Sequence, residues 1–182
     1  MTNFLRFIPN LISLIRISLV APIVLNLLSA KYVLAIILFA FASVSDAVDG
    51  FLARFFKWQT DLGKILDPVA DKLLMIGSIT ALWINEVVPL SIFIILVLRD
   101  LLILLGAAFE MSITEETPSP NIIGKITTAS QIIYILVLIL FEIFNLEIRV
   151  IVLHISITAI TTFSLLTYFR WWLENNFKKE NV

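Results

Sequence analysis

Cysteine is absent from the 182 residues, and histidine occurs once, at His154. Disulfides and thiolate-held metals are thereby excluded, and one imidazole cannot build a zinc site by itself. Glycine (5) and proline (6) are too scarce for a loop-rich or disordered chain. Charge is scarce too: 15% of residues are Asp, Glu, Lys or Arg, where a soluble domain carries about a quarter. Hydrocarbon takes their place, at 60% of residues and a mean hydropathy of +1.02. This is the composition of an integral membrane protein. Any bound metal must be held mainly by oxygen, which points to Mg, Mn or Ca.

A bilayer-spanning helix needs about 20 mostly apolar residues. Six stretches qualify, near Leu11–Leu28, Tyr32–Phe55, Pro68–Trp83, Val87–Ala108, Ile122–Phe144 and Ile148–Trp172. The expected fold is all-α, one domain over residues 1–182, with six transmembrane helices. Phe4, Leu5, Phe7 and Ile8, ahead of Pro9, read as a short interfacial helix. Arg16 interrupts the first apolar run, which favours a retained span over a signal peptide.

Positive residues orient the chain. With the N-terminus in the cytoplasm, that side receives Arg6, Arg54, Lys57, Lys64, Lys72, Lys125, Arg170, Lys178 and Lys179. The opposite loops hold only Lys31 and Arg149. Both termini are therefore predicted to be cytoplasmic.

The charge that does occur inside the spans is patterned. From Asp46 to Asp71 the chain reads DAVDGFLARFFKWQTDLGKILDPVAD. Asp46, Asp49, Gly50, Ala53 and Arg54 share one helical face, and Asp67 and Asp71, four apart, share another. Gly50 and Ala53 remove bulk between the charged groups. Gly63 is placed in the return between the helices and Pro68 in the first turn of the second. Converging carboxylates must either be protonated or gather cations. Hard oxygen ligands favour one or two Mg or Mn ions, and paired metals suit phosphoryl substrates. Arg54 adds a planar fork for phosphate. The alternative is a set of ion pairs with Arg54, Lys57, Lys64 and Lys72. A transporter would instead spread its carboxylates through the bilayer and show repeats, and no repeat is present.

Spaced D-x2-D-G-x2-A-R-x8-G-x3-D-x3-D, the run resembles the signature of the CDP-alcohol phosphatidyltransferase family, and the length and six spans agree with it. The resemblance implies two divalent cations on Asp46, Asp49, Asp67 and Asp71, holding the diphosphate of a CDP-linked lipid. It implies that Asp49, Gly50, Ala53, Arg54 and Gly63 accommodate the nucleotide and diphosphate. It further implies that Asp71 is the general base toward the acceptor hydroxyl, that CMP leaves, and that the enzyme is a homodimer. A bacterial inner membrane is the expected location, with the site on its cytoplasmic face.

The acceptor pocket is expected from Arg99, Lys125 and Arg16, with Thr127, Thr128 and Gln131 adding polar groups. An ion pair with Asp100 is the competing role for Arg99, and interfacial snorkelling that for Lys125. The opening Ile8-Pro9-Asn10-Leu11-Ile12-Ser13-Leu14-Ile15-Arg16 and the run Gly124-Lys125-Ile126-Thr127-Thr128 resemble family members that use glycerol-3-phosphate. Asp100 after Arg99, and Thr127 where those enzymes carry a second lysine, are closer to the members that form cardiolipin from phosphatidylglycerol. Glycerol-3-phosphate is the favoured acceptor and phosphatidylglycerol the alternative. His154 is expected to be buried and hydrogen-bonded.

Overall fold

The structure, a computed structural model, describes residues 8–56, 61–114, 122–146 and 150–179, and side chains for 11–45, 55–56, 69–106, 122–146 and 150–170. The described residues form six helices and no strand: α1 (Ile8–Leu28), α2 (Tyr32–Phe55), α3 (Asp61–Ile84), α4 (Leu90–Thr114), α5 (Ile122–Phe144) and α6 (Ile151–Lys179). Residues before Ile8, where the interfacial helix is expected, lie outside the described residues.

Three of these helices contain windows long and apolar enough to cross a membrane: Leu11–Leu28, Ile122–Phe144 and Ile151–Arg170. Across the described helices, large apolar side chains are exposed while some charged and amide side chains are buried, unlike in a soluble bundle. On α2, Val33, Ile37, Phe41 and Val44 form an exposed stripe, each more than half accessible. Arg16, Arg99 and Gln131 are fully buried. An exposed apolar stripe together with fully buried guanidinium and amide groups is stable only where hydrocarbon is the solvent. The protein is a membrane protein.

Several helices outrun the apolar windows. The third begins at Asp61 rather than Pro68, so Gly63 belongs to its first turn and not to the connection, and Pro68 is an interior residue. Helical hydrogen bonding needs no apolarity, so a polar end projecting past the hydrocarbon stays helical. Asp61 at the N-terminal end also suits the helix dipole. Likewise α4 continues past Ala108 to Thr114, and α6 past Trp172 to Lys179.

The chain divides into two compact units. Unit 1 comprises residues Met1–Val88 and Leu136–Leu146; unit 2 comprises Pro89–Ile135 and Glu147–Val182. Within unit 1, α1 packs against both α2 and α3. It runs parallel to α3, and three contacts set the register: Arg16 meets Asp71, Val20 and Val24 meet Gly77, and Leu27 meets Asn85. A Cβ at Gly77 would lie 2.8 Å from Val24 Cγ2, so glycine permits this close approach. The core around it is Ile23 and Leu27 of α1, Phe39 of α2, and Leu74, Ile79 and Leu82 of α3.

The ends of α1, α3 and α5 share one cap. Ala30, Glu86 and Asn145 have positive φ (54°, 62° and 48°), and the next residue's N–H reaches back five positions: Lys31 to Asn26 O, Val87 to Leu82 O, Leu146 to Phe141 O. These are Schellman caps closed without glycine. Asn85 Nδ2 also donates to Leu27 O at 2.7 Å, tying the end of α3 to that of α1.

Two stability effects follow. Gly77→Val should lower stability by about 1–3 kcal/mol through overpacking against Val24. Glu86→Gly should raise it by about 1 kcal/mol by relieving a left-handed non-glycine residue. Thermal unfolding in detergent reads both, and the two shifts should have opposite signs.

Candidate active site

Asp71 lies ten residues beyond the start of α3. Arg16, eight residues beyond the start of α1, donates from Nη1 to Asp71 Oδ1 at 2.9 Å. The two side chains differ sharply in environment: that of Arg16 is 1% exposed, that of Asp71 45%. A guanidinium in this interior is costly unless an anion answers it, and Asp71 does so. The pair therefore fixes one carboxylate oxygen of Asp71, whose side chain stays half-exposed. Arg16, expected at the acceptor, meets Asp71.

The other motif residues are placed by their helices alone. Asp46, Asp49, Gly50, Ala53 and Arg54 are on the last turns of α2, and Gly63 and Asp67 on the first half of α3; their side chains lie outside the described residues. Counting back across the α1–α2 turn, position 46 of α2 comes level with positions 14–16 of α1. Position 67 is one turn before Asp71. The backbone thus brings the aspartate-bearing turns to the level of Arg16. A divalent cation suits this donor set, which offers carboxylate oxygens and no sulfur. Among the described residues no three His, Asp or Glu side chains cluster.

Unit 2 holds a second buried guanidinium. Arg99 of α4 donates from Nη1 to Asp100 Oδ1 at 2.7 Å, and from Nη2 to Ser164 Oγ of α6 at 3.0 Å and to Gly124 O of α5 at 3.4 Å. Both Nη atoms are thus engaged, and the Asp100 pairing weighed for Arg99 is present. Lys125, one residue on from Gly124, is exposed and meets no hydrogen-bond or ion-pair partner among the described residues. Thr127 and Gln131 are buried on α5. His154 is buried as expected, its Nδ1 2.9 Å from the Tyr134 hydroxyl.

Two buried polar residues of α6 escaped the sequence reading, Ser164, which meets Arg99, and Thr161. Their signal was a periodic one: His154, Thr161 and Ser164 fall at i, i+7 and i+10 of α6, a stripe facing one side.

Each unit thus holds a buried arginine answered by an aspartate within a membrane-embedded helical protein, and the family comparison says of what kind the protein is. The family model for CDP-alcohol phosphatidyltransferase matches residues 6–172. The chain belongs to that family, and it is an enzyme of the phosphatidyltransferase class. It is 37% identical over 123 residues to the CDP-diacylglycerol–glycerol-3-phosphate 3-phosphatidyltransferase of Aquifex aeolicus, covering 66% of this chain and 68% of the relative. The Bacillus subtilis protein of the same description is 33% identical over 149 residues, covering 73% and 76%. The CMP-forming cardiolipin synthase of Homo sapiens is 28% identical over 155 residues, 76% of this chain and 52% of the relative.

Replacing Arg16 by Met should lower kcat by at least about tenfold, roughly 1.4 kcal/mol of barrier, by releasing the Asp71 carboxylate. Arg16→Lys should recover part of that loss. Steady-state CMP release alongside the melting temperature checks this: equal kcat in wild type and Arg16→Met would show that the pair does not orient Asp71 for turnover.

Proposed function

We propose that the protein transfers the phosphatidyl group of CDP-diacylglycerol to a hydroxyl of glycerol-3-phosphate, with release of CMP. The observation that carries this reading is the Asp71 carboxylate, partly open and held by a fully buried arginine at the aspartate-bearing level of α1, α2 and α3. The names of the Aquifex aeolicus and Bacillus subtilis relatives support glycerol-3-phosphate as acceptor. A second reading takes phosphatidylglycerol as acceptor, supported by the cardiolipin synthase relatives and by the Arg99–Asp100 pair.

In this reaction the acceptor oxygen attacks the β-phosphorus of the CDP-lipid. The bond from that phosphorus to the bridging oxygen breaks, and CMP departs with the electron pair. Asp71 receives the hydroxyl proton. A carboxylate suffices as base when the attack is well positioned and the proton is lost late. Two Mg or Mn ions held by Asp46, Asp49, Asp67 and Asp71 would supply charge neutralisation at the diphosphate. Asp49, Gly50, Ala53, Arg54 and Gly63 accommodate the nucleotide and diphosphate; small side chains allow close approach, and Arg54 offers a fork to phosphate. Lys125 receives the acceptor phosphate as an exposed point charge. Arg99 offers the acceptor its Nε, and Arg16 acts on the reaction through Asp71.

In the same proposal all six helices span a bacterial inner membrane, both termini are cytoplasmic, the segment before α1 lies in the interface, and residues 1–182 work as one catalytic domain in a homodimer. A site at the cytoplasmic boundary lets a lipid donor enter sideways while a water-soluble acceptor enters from the cytosol.

The test is CMP release and lipid product from the purified full-length chain. It is supplied with CDP-diacylglycerol, Mg or Mn, and in turn glycerol-3-phosphate, phosphatidylglycerol, inositol phosphate or serine. Glycerol-3-phosphate should support turnover; turnover with phosphatidylglycerol alone would favour the second reading, and none with any acceptor would overturn both. Asp71→Asn should cost about 100-fold or more in kcat. Chelation should silence the wild type, and added Mn or Mg should restore it.

A further inference from the structure

Unit 1 carries a cleft of about 270 Å³ at the end of α1 away from the Arg16–Asp71 pair. It is lined by Lys31, Tyr32, Val33 and Leu34, from the α1–α2 turn and the start of α2, and by Glu142 and Ile143 near the end of α5. Arg16 and the Leu28 end of α1 are twelve residues apart, roughly 18 Å along the helix. The membrane-crossing windows Leu11–Leu28 and Ile122–Phe144 end three residues before Lys31 and two after Glu142. Both charged residues therefore stand at the polar boundary of the bilayer, the level of lipid headgroups.

Lys31 is exposed and Glu142 half-buried. Neither side chain has a hydrogen-bond or ion-pair partner among the described residues, so the two line one cleft without pairing across it. Tyr32 is held from α3: Asn85 Nδ2, anchored on Leu27 O, also donates to the Tyr32 hydroxyl at 3.4 Å. The hydroxyl's own hydrogen has no acceptor among the described residues. The cleft thus offers an ammonium and a hydroxyl to a phosphate, and a carboxylate to a cation. Val33 lines it and also opens the exposed stripe of Val33, Ile37, Phe41 and Val44, which leads away along α2. A ligand that meets all of this carries a phosphate, a cation and a hydrocarbon tail. A primary ammonium donates N–H bonds to a carboxylate. A quaternary one has no N–H and is held best by several aromatic faces, of which Tyr32 supplies one. An anionic lipid would leave Glu142 unanswered.

We propose that this cleft binds a zwitterionic phospholipid with a primary ammonium headgroup. Its phosphate lies at Lys31 and Tyr32, its ammonium at Glu142, and its chains on the α2 stripe. This lipid is neither donor nor acceptor in the proposed reaction, and its site is separate from Asp71.

The experiment offers the purified full-length protein in detergent an equimolar mixture of dioleoyl phosphatidylethanolamine and phosphatidylcholine, and identifies the bound lipid by native mass spectrometry. Wild type should retain phosphatidylethanolamine in preference by about threefold or more, the scale of partly exposed charge pairs. Glu142→Gln should erase that preference, and Lys31→Met should lower retention of both lipids by about threefold. Phosphatidylglycerol, which has no cation, should be retained alike by wild type and Glu142→Gln. Both variants should keep the wild-type melting temperature, and CMP release in micelles without phosphatidylethanolamine. Equal retention of the two zwitterionic lipids by wild type, or a preference that survives Glu142→Gln, would overturn the proposal and leave Lys31 as a snorkelling residue. An excess of soluble phosphoethanolamine should leave the lipid bound; its displacement would assign the cleft to a free amino phosphate and overturn the lipid as occupant.

Discussion

A guanidinium in hydrocarbon must be answered by an anion, and both units are organised around that requirement. Arginine cannot shed its proton as a buried lysine can, so partnering is its only relief. Arg16 takes Asp71, and Arg99 takes Asp100. The two solutions differ in consequence. Asp71 remains substantially exposed, so its pair orients a carboxylate that still faces outward. Asp100 is buried with its arginine, so that pair is closed and neutral, and it acts as a scaffold for Ser164 and Gly124.

Positioning of Asp71 depends in turn on how α1 lies on α3. The register is pinned at three levels, by the Arg16–Asp71 pair, by the close approach at Gly77, and by Asn85 on the Leu27 carbonyl. A slip by one turn would break all three together. The Schellman caps serve the same end, because they stop α1 and α3 sharply beside the Asn85 contact. Ala30 and Glu86 occupy left-handed positions that glycine would fill more easily.

Much of the architecture was legible in the sequence because a bilayer imposes a strict rule. Long apolar windows located all six helices, and the α2 and α5 limits coincide with them. Where the windows failed, as at Asp61 and Gly63 before Pro68, the helix had left the hydrocarbon, and apolarity no longer marked its course. The aspartate run stood out for the converse reason, since charge at membrane depth is rare enough to be read as chemistry. His154 was legible as a buried, bonded residue, though nothing in the sequence named Tyr134 as its partner.

The sequence by itself determined the class of the protein and the face of each helix that bears charge, because composition and helical period act locally. The Arg99–Asp100 pair joins sequence neighbours and was weighed from the sequence, but which anion answers Arg16, and what else Arg99 reaches, was set by the packing of helices. Arg16 and Asp71 are 55 positions apart, and Arg99 reaches Ser164 across 65. A guanidinium near several carboxylates pairs with whichever the packing of two helices brings within 3 Å, and no spacing rule carries that information. The same holds for the hydroxyls of α6: Thr158 and Thr167 turn back on their own helix while Thr161 does not, a difference visible only once α4, α5 and α6 are packed around them.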